Sequence, residues 1–303
     1  MKLVDKYDFP EYKFSLYFLA KLKEDNGIEP GTEEAHKFLW NFDGVTLELT
    51  HNHGTEDDEN LKYNNGNVEP NRGFGHIAFC TEDVYASCEI LEKNGVKFQK
   101  KPDDGRMKGI AFALDPDGYW IEILARSPTE FKGYNLSQTM IRIKDPKKSL
   151  HFYRDLLGME TVDEKCFLSF FAIFFNLIIF VFFFQKLFRH FNDFSLYFLA
   201  SKRKNGEDAD KNTKTMFHPI LELTHNHGTE NDENFSYHNG NTEPRGFGHI
   251  GFLVDDLDKS CEYLESKQVS FKKKPSEGNM RGIAFVYDPD GYWIEIIQRS
   301  VSF

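Results

Sequence analysis

The chain has 303 residues and a formal net charge of −11, from 48 acidic and 37 basic side chains. This length is sufficient for two domains with separate cores. The acidic balance argues against nucleic acid or an anionic membrane as a partner, because phosphate groups are bound by clustered lysine and arginine. Four cysteines without a CxxC pair are predicted to be free thiols, with Cys88 and Cys261 as small core residues. That usage favours a reducing compartment, here the cytoplasm.

The main feature of the sequence is an internal repeat. Four segments occur twice: FSLYFLA at 14–20 and 194–200, LELTHNHGTE at 47–56 and 221–230, RGFGHI at 72–77 and 245–250, and DPDGYWIEI at 115–123 and 288–296. After the first pair, the two copies are separated by 173 or 174 residues. A fixed period predicts a duplicated architecture. We therefore divide the chain into domains over 1–130 and 131–303.

Short strands and helices are predicted in each copy. LELTH and YWIEI alternate apolar and polar residues, as half-buried strands do. Apolar residues three and four positions apart predict amphipathic helices over 81–96 and 255–269. Asp145 and Pro146 begin a further helix, which Gly158 ends. One helix among several short strands predicts an α+β fold built from four βαβββ modules.

The first module is shorter than the others. Residues 136–159 form a predicted strand and helix at the start of the second half. Met1 aligns with Met159, so the first half contains no counterpart of that strand and helix. The first module is therefore predicted to be N-terminally truncated.

A phenylalanine-rich segment interrupts the third module at 167–191, where 11 residues are Phe. Between Met159 and the second FSLYFLA there are 34 residues, whereas 12 separate Met1 from the first. The nearly apolar stretch at 167–184, taken alone, is long enough for a membrane helix. A membrane span there would separate two strands of one module. An unspliced or low-complexity insertion is therefore the favoured interpretation, and a membrane-associating segment is the alternative.

Seven polar side chains are candidate ligands, and six of them form pairs at corresponding places in the repeat. They are Glu48 and Glu222 in LELTH, Glu122 and Glu295 in YWIEI, His76 and His249 after Gly-Phe-Gly, and Gln138 at the start of QTMIRI. Each alone is compatible with a solvated carboxylate or a structural histidine. Together, two carboxylates, an imidazole and an amide oxygen form a mixed donor set that Zn²⁺, Ni²⁺, Co²⁺ or Mn²⁺ accepts. The histidines of the two loop-like HNHG segments are weaker candidates for ligands: His51, His53, His225 and His227.

Long segments of the chain resemble the glyoxalase I (lactoylglutathione lyase) family of the vicinal oxygen chelate fold, in its fused two-site form. They include QTMIRIKDPKKSLHFYRDLLGM, LELTHNHGTEDDE and DPDGYWIEI. The resemblance implies tandem βαβββ modules and isomerisation of the methylglyoxal–glutathione hemithioacetal to S-D-lactoylglutathione, which detoxifies methylglyoxal. It also implies proton transfer by glutamate through a metal-bound enediolate, with zinc as the metal and nickel or cobalt as alternatives. A monomer with paired domains is expected.

The resemblance implies one complete metal site and one incomplete site. The complete site consists of Gln138, Glu222, His76 and Glu122. Glu122 would be the main catalytic base, and Glu222 would serve the other substrate epimer. The second site consists of Glu48, His249 and Glu295, with Glu48 and Glu295 as its catalytic carboxylates. It lacks the glutamine.

The resemblance also implies a set of glutathione contacts. They are Arg142, Asn226, Arg72, Lys100, Arg106 and Met107 at the complete site, and Asn52, Arg245, Lys273 and Met280 at the second. Arginine and lysine suit this role because glutathione carries carboxylates, which the guanidinium fork binds in bidentate fashion.

Three alternative functions stay open. Ring-cleaving dioxygenases of the same fold use two histidines and one carboxylate to bind iron, and Gln138 at the first ligand position argues against that site. The incomplete second site and the insertion favour a glutathione-conjugate-binding protein with impaired or no catalysis. The phenylalanine-rich segment would allow a membrane-tethered protein.

Overall fold

The computed structural model describes residues 1–127, 132–167, 193–202, 213, 215–278 and 280–300. The predicted domain boundary at 130/131 lies outside these residues and stays a prediction. The phenylalanine-rich segment also lies outside them, except for Phe167. Among the helices in the described ranges, none has the length and apolar character needed to span a membrane.

The described residues form short strands and few helices. The strands are β1 (Lys2–Phe9), β2 (Phe14–Ala20), β3 (Thr46–Asn52), β4 (Phe74–Thr81), β5 (Phe98–Lys100), β6 (Ala111–Leu114), β7 (Trp120–Ala125), β8 (Asn135–Ile143), β9 (Glu160–Phe167), β10 (Phe194–Ala200), β11 (Ile220–Asn226), β12 (His249–Val254), β13 (Phe271–Lys273), β14 (Ile283–Tyr287) and β15 (Trp293–Gln298). The helices are α1 (Glu33–Leu39), α2 (Val84–Lys93), α3 (Pro146–Leu150), which continues as a π-helical turn over His151–Leu156, and α4 (Leu257–Ser266).

These strands belong to three sheets. The largest has the order β5-β6-β7-β4-β8-β11-β10-β9, and the others are β1-β2-β3 and β12-β15-β14-β13. β8 pairs with β4 in antiparallel and with β11 in parallel orientation. It therefore joins one βαβββ module, β4–β7 with α2, to a second, β8–β11 with α3. A third complete module consists of β12–β15 with α4, so the predicted α+β fold of tandem modules is confirmed.

The first module contains three strands. α1 lies between β2 and β3, a position that holds no helix in the βαβββ order. Within the described part of the chain, this module contains no counterpart of β8 or α3. In the large sheet the equivalent strands, β11 and β4, lie on either side of β8. No described strand lies between β3 and β12, so these two are edge strands of separate sheets.

The predicted helices are present but shorter than expected. Asp83 and Asp256 cap α2 and α4, each accepting a bond from the backbone N–H three residues later. Asp145 caps α3 by accepting from the N–H of Lys147, which confirms that prediction. The prediction over 81–96 was too long because Thr81 still belongs to β4.

The largest buried cluster joins the third and fourth modules. Phe152 and Tyr153, from the π-helical turn, pack with Leu221 and Leu223 of β11 and with Leu257 of α4. Full burial of one such side chain contributes about 1.5–3 kcal/mol. The predicted burial of Cys88 and Cys261 on α2 and α4 is also confirmed.

A second cluster holds the two smaller sheets together. Trp40, which follows α1, packs with Val4 and Phe18 of the sheet β1-β2-β3. It also packs with Ile283 and Ile297 of the sheet β12-β15-β14-β13. The Trp40 carbonyl oxygen accepts a bond from the N–H of Ser300 at 3.1 Å. These contacts bring β3 close to β12 without a connecting strand.

Candidate metal centre

Strand alternation directs four polar side chains to one face of the large sheet. On β11, Leu221 and Leu223 enter the core, so Glu222 between them faces the other side. Gln138 lies on β8, His76 on β4 and Glu122 on β7. Gln138 is the fourth residue of its strand, not the first as predicted. Because β7, β4, β8 and β11 are neighbours in the sheet, all four side chains meet.

The four side chains form a compact buried cluster. The Gln138 amide donates to Glu222 Oε2 at 2.5 Å and to Glu122 Oε2 at 3.1 Å. His76 Nε2 lies 3.1 Å from Glu122 Oε2 and 3.8 Å from Glu222 Oε2. All four residues are less than 9% exposed. The interpretation of these glutamates as solvated side chains is therefore wrong for Glu122 and Glu222.

The donor atoms of this cluster suit a divalent cation. The ligand atoms of His76, Glu122 and Glu222 lie within 4.8 Å of one another. Although His76 Nε2 is close to Glu122, it is buried and makes no aligned hydrogen bond within the described residues. A buried nitrogen without a hydrogen bond is costly unless another partner uses it. A half-turn of the Gln138 amide would add its oxygen to the same set, since the two amide orientations differ little in shape.

Burial and mutual repulsion control protonation at the cluster. Burial, with the nearby Glu122 carboxylate, raises the pKa of Glu222 to about 7, although His76 opposes the change. For His76, burial lowers the pKa, but the attraction of Glu122 and Glu222 outweighs it and places the pKa above its ordinary value. Two carboxylates beside one imidazole thus retain protons, and a cation bound there would replace them.

Two aromatic side chains that sequence analysis missed line the cluster. The Phe112 ring meets the His76 ring edge-on, with centroids 5.3 Å apart. Phe198 is opposite Glu222 in the β10–β11 pairing and is 5% exposed. Phe112 belongs to the repeated segment GIAF, and Phe198 belongs to the repeated segment FSLYFLA. Their recurrence is the signal in the sequence that could have identified them. They keep water from the carboxylates and so strengthen local electrostatics.

A second cluster with the same spacing lies between the two smaller sheets. His249 Nε2 is 3.1 Å from Glu295 Oε2 and 3.7 Å from Glu48 Oε2. Burial lowers the pKa of His249, but the two carboxylates raise it to about 10. Within the described residues no amide side chain bridges Glu48 and Glu295. The three side chains are also more exposed than those of the first cluster.

Arg142, an expected glutathione contact, is engaged inside the protein. Its Nη1 donates to the carbonyl oxygens of Gly66, Gly73 and Phe74 at 3.0–3.2 Å. Its Nη2 donates to Asn67 Oδ1 at 2.8 Å. Burial, and then the nearby positive charge of Arg72, lower the pKa of Arg142 to about 10. Arg142 and Arg72 therefore lie close together, and Arg72 also pairs with Glu69 Oε1 at 3.2 Å.

The other expected contacts at the complete site lie at its edges. Asn226 ends β11 and donates to the Tyr237 hydroxyl at 2.8 Å. Lys100 donates to the Ile110 carbonyl, and Arg106 and Met107 are exposed beside it. The Glu122 carboxylate acts electrostatically on Lys100, which places this ammonium near the cluster.

At the second cluster, the expected contacts are spread over the surface and the core. Asn52 donates to the Tyr63 hydroxyl at 3.3 Å, and Arg245 pairs with Glu243 at 3.0 Å. Lys273 donates to the carbonyl oxygens of Met280 and Ile283. Met280 itself packs against the Trp40 cluster. None of these bonds involves Glu48, His249 or Glu295.

The HNHG histidines stabilise local structure. His51 and His225 lie on β3 and β11, so the expectation of a loop was wrong for them, and their Nε2 atoms pair with Glu56 and Glu230 at 2.8 Å. His53 and His227 contact the hydroxyls of Ser15 and Ser195. None of the four belongs to either carboxylate cluster.

The sequence matches the family described as Glyoxalase/Bleomycin resistance protein/Dioxygenase superfamily over residues 1–123 and 135–296. The chain belongs to this superfamily. The match includes all the residues of both clusters.

Within the superfamily, the chain is similar over nearly its whole length to proteins named glyoxalase I or lactoylglutathione lyase. It is 45% identical to "Glyoxalase I" of Saccharomyces cerevisiae over 99% of this chain and 86% of that protein. It is 40% identical to "Lactoylglutathione lyase" of Schizosaccharomyces pombe over 99% of this chain and 89% of that protein. The structure of glyoxalase I from Zea mays matches with a TM-score of 0.64 and 25% identity, covering 99% of this chain and 84% of that one.

Proposed function

We propose that this chain is a lactoylglutathione lyase, which isomerises the methylglyoxal–glutathione hemithioacetal to S-D-lactoylglutathione. The observation that carries the proposal is the meeting of Gln138, Glu222, His76 and Glu122 in one buried cluster. The similar proteins named glyoxalase I or lactoylglutathione lyase support it across nearly the whole chain.

The metal in the proposal is zinc, held by Gln138, Glu222, His76 and Glu122. One imidazole with oxygen donors is a set that Zn²⁺ accepts, and Ni²⁺ or Co²⁺ would suit it too. When bound, the cation supplies Lewis-acid stabilisation of negative charge that develops on substrate oxygens. The unbonded His76 Nε2 supports this assignment.

The protein's own carboxylates move the proton. Glu122 takes the proton from the hemithioacetal carbon beside the carbonyl and returns it to the neighbouring carbon. Glu222, across the cluster, is placed to serve the other epimer. The aromatic side chains of Phe112 and Phe198 limit water near these oxygens, so that the proton stays with the substrate and the base.

Positive charge beside the cluster suits the carboxylates of glutathione. Arg142 and Arg72 lie close together at one side, where Tyr237 and Asn226 add polar groups. Lys100 supplies a cation at another side, with Arg106 and Met107 exposed next to it. The terminal nitrogens of Arg142 already donate to protein oxygens. Arg142 therefore attracts the glutathione carboxylates through its positive charge, and Arg72 contacts them directly.

The second set of residues is proposed as a weak or inactive site. Glu48, His249 and Glu295 keep the spacing of the first cluster, and Asn52, Arg245, Lys273 and Met280 are the residues proposed to contact glutathione there. A monomer in the cytoplasm is also part of the proposal. The free thiols of all four cysteines support a reducing compartment.

The direct test is formation of the thioester product from methylglyoxal and glutathione by the full chain. We expect activity that is lost with a chelator and restored by zinc. Glu122→Gln should lower kcat by about 10²- to 10⁴-fold because it removes the base. Glu89→Gln, an exposed change on α2 in the same module, is the matched control and should keep activity.

Two results would contradict the proposal. Full activity of Glu122→Gln would exclude this cluster as the reacting site. Tight binding of S-methylglutathione with no turnover in zinc-loaded protein would support a glutathione-conjugate-binding protein instead.

A further inference from the structure

The pairing of β4 with β8 contains one extra residue just before His76. Phe74 lies opposite Ile141. The next paired residue is His76, which lies opposite Met140. In this register Gly75 is the extra residue, as in a β-bulge. A Cβ added to Gly75 would lie 2.3 Å from the Met140 side chain, so the close approach of the two strands here requires glycine.

This bulge determines the face of the sheet on which His76 lies. Residues three positions apart on an unbroken strand face opposite sides. Phe74 and Ile77 have that spacing, yet both pack with the core cluster that contains Leu223. Because Phe74 enters the core, an unbroken strand would turn His76 into the core as well. The bulge instead directs the imidazole to the Glu122 carboxylate.

A side chain from the preceding loop stabilises the bulge. A bulge disrupts the strand ladder, so its backbone groups need other partners. Asn67 Nδ2 donates to the Gly75 carbonyl oxygen at 2.6 Å and to the Asn65 carbonyl oxygen at 3.1 Å. Asn67 Oδ1 accepts from Arg142 Nη2 at 2.8 Å. Because a reversed amide would place its NH₂ group against the guanidinium, these bonds fix one orientation of the side chain.

The local sequence Asn64-Asn65-Gly66-Asn67 explains how this amide reaches the bulge. Asn64 Oδ1 accepts from the N–H of Gly66 at 3.2 Å. Asn65 Oδ1 accepts from the N–H of Asn67 at 2.9 Å. Such bonds from side chain to backbone close a tight turn. Gly66 has a φ of +75°, a left-handed conformation that glycine adopts without strain. The turn therefore holds the Asn67 side chain beside β4.

We propose that Asn67 is a positioning residue of the metal centre. Through the Gly75 carbonyl it fixes the bulge that directs His76 to the cluster, and its bond from Arg142 anchors the bulge to β8. The fixing of the bulge is a property of the fold alone. Its consequence for metal binding rests on the proposed function.

The test removes one bond from the full chain. Asn67→Asp keeps the shape of the side chain and the oxygen that accepts from Arg142, but it cannot donate to Gly75. Amide hydrogen exchange over 74–78 in the metal-free chain should become about tenfold faster, because a bond that holds the bulge is lost. Zinc affinity, measured with a chromophoric chelator, should fall about 10- to 100-fold, as it does when other groups that orient a metal ligand are removed. The added negative charge by itself would strengthen cation binding, so charge does not account for such a fall.

Two further variants separate this role from general loosening of the fold. Asn241→Asp makes the same change in the other half, where Asn241 donates to the Gly248 carbonyl at 2.5 Å, and it should leave exchange over 74–78 and the tight zinc affinity unchanged. Asn67→Leu removes donor and acceptor without adding charge and should weaken zinc binding at least as much as Asn67→Asp. With one equivalent of Co²⁺, the visible absorption spectrum, which reports ligand geometry, should change in both Asn67 variants and not in Asn241→Asp. Circular dichroism checks the fold of each variant.

The outcomes distinguish this role from the proposed function. Weaker zinc binding by both Asn67 variants would support the role even if the unchanged chain had no turnover, a result that would refute only the lyase activity. Zinc affinity and Co²⁺ spectrum that both variants leave intact would overturn the role, whatever happens to amide exchange. Equal losses of zinc affinity in Asn67→Asp and Asn241→Asp would overturn it as well. Absence of zinc binding by the unchanged chain would refute the proposed metal centre and the role together.

Discussion

The same ten residues, LELTHNHGTE, fold twice in this molecule with different results. On β11 the segment is buried from Leu221 to His225, and on β3 the same residues are partly or fully exposed. Leu223 has no exposed surface, whereas Leu49 is 49% exposed. The local sequence is identical, so the difference arises from the neighbours: β8 and α3 cover one copy and have no described counterpart over the other.

The two carboxylate clusters show the same contrast. Their histidine-to-carboxylate distances agree closely, 3.1 and 3.8 Å against 3.1 and 3.7 Å. Only the first has a glutamine that donates to both carboxylates. Strand register therefore positions the ligands in both halves, while β8 supplies the burial and the fourth donor.

The largest expected difference between the halves is in stability. Leu223→Ala should lower the free energy of unfolding by about 2–5 kcal/mol, because it opens a cavity in the core. Leu49→Ala, the same change in the same sequence, should stay within about 0.5 kcal/mol of the unchanged chain. Urea unfolding of both variants measures the contrast. If both variants lose the same free energy of unfolding, Leu49 on β3 is buried in solution, contrary to this account.

The next effect concerns the glutamine. Gln138→Leu removes the amide from the first cluster and so makes it resemble the second. We expect zinc affinity to fall by at least about 10- to 100-fold, because loss of a group that only orients a metal ligand already costs that much and Gln138 is proposed as a direct ligand. Competition with a chromophoric chelator measures this affinity. An unchanged affinity would mean that Gln138 is only a structural bond donor.

A third effect, at most about 1.4 kcal/mol at each step of one pH unit, is the pH dependence of stability from Asp288. Burial, and then Asp290, raise the pKa of Asp288 from 3.8 to about 7. Between these values the folded chain keeps a proton that the unfolded chain has lost. Stability should therefore decrease as pH rises from about 4 to about 7, by up to about 1.4 kcal/mol per pH unit for one proton.

Asp288→Asn should flatten that slope, because the amide carries no titrating proton. Asp115→Asn, at the matching turn of the half without an overlying helix, should change the slope less, since Asp115 is only partly buried. Thermal unfolding from pH 4 to 8 compares the variants. A slope that is unaffected by Asp288→Asn would contradict the origin assigned to it.

Much of the architecture could be predicted from the sequence because it depends on local patterns. The repeat predicted tandem modules, and the predicted cap Asp145 marks a helix start where the structure has it. Alternation within LELTH and YWIEI predicted that each glutamate opposes the core, since successive strand residues face opposite sides. These features need no knowledge of distant neighbours.

The remainder depends on contacts between distant segments. Nothing in QTMIRI indicates that Arg142 donates to three backbone carbonyls more than 60 residues away. The bond from Tyr153 to Asp288 joins residues 135 apart, whereas the sequence DPDG at 288–291 by itself indicates only a turn. Glu222 is buried and Glu48 is only partly buried, although their own segments are identical. Contacts with distant segments therefore cause this difference as well.

The measurement that tests the central claim most directly is a zinc titration of the metal-free chain beside Glu122→Gln and Glu295→Gln. The account predicts one tight zinc per chain, lost in Glu122→Gln and kept in Glu295→Gln. Loss of the tight site in Glu295→Gln, or two equally tight sites in the unchanged chain, would contradict the claim that β8 makes the two halves different.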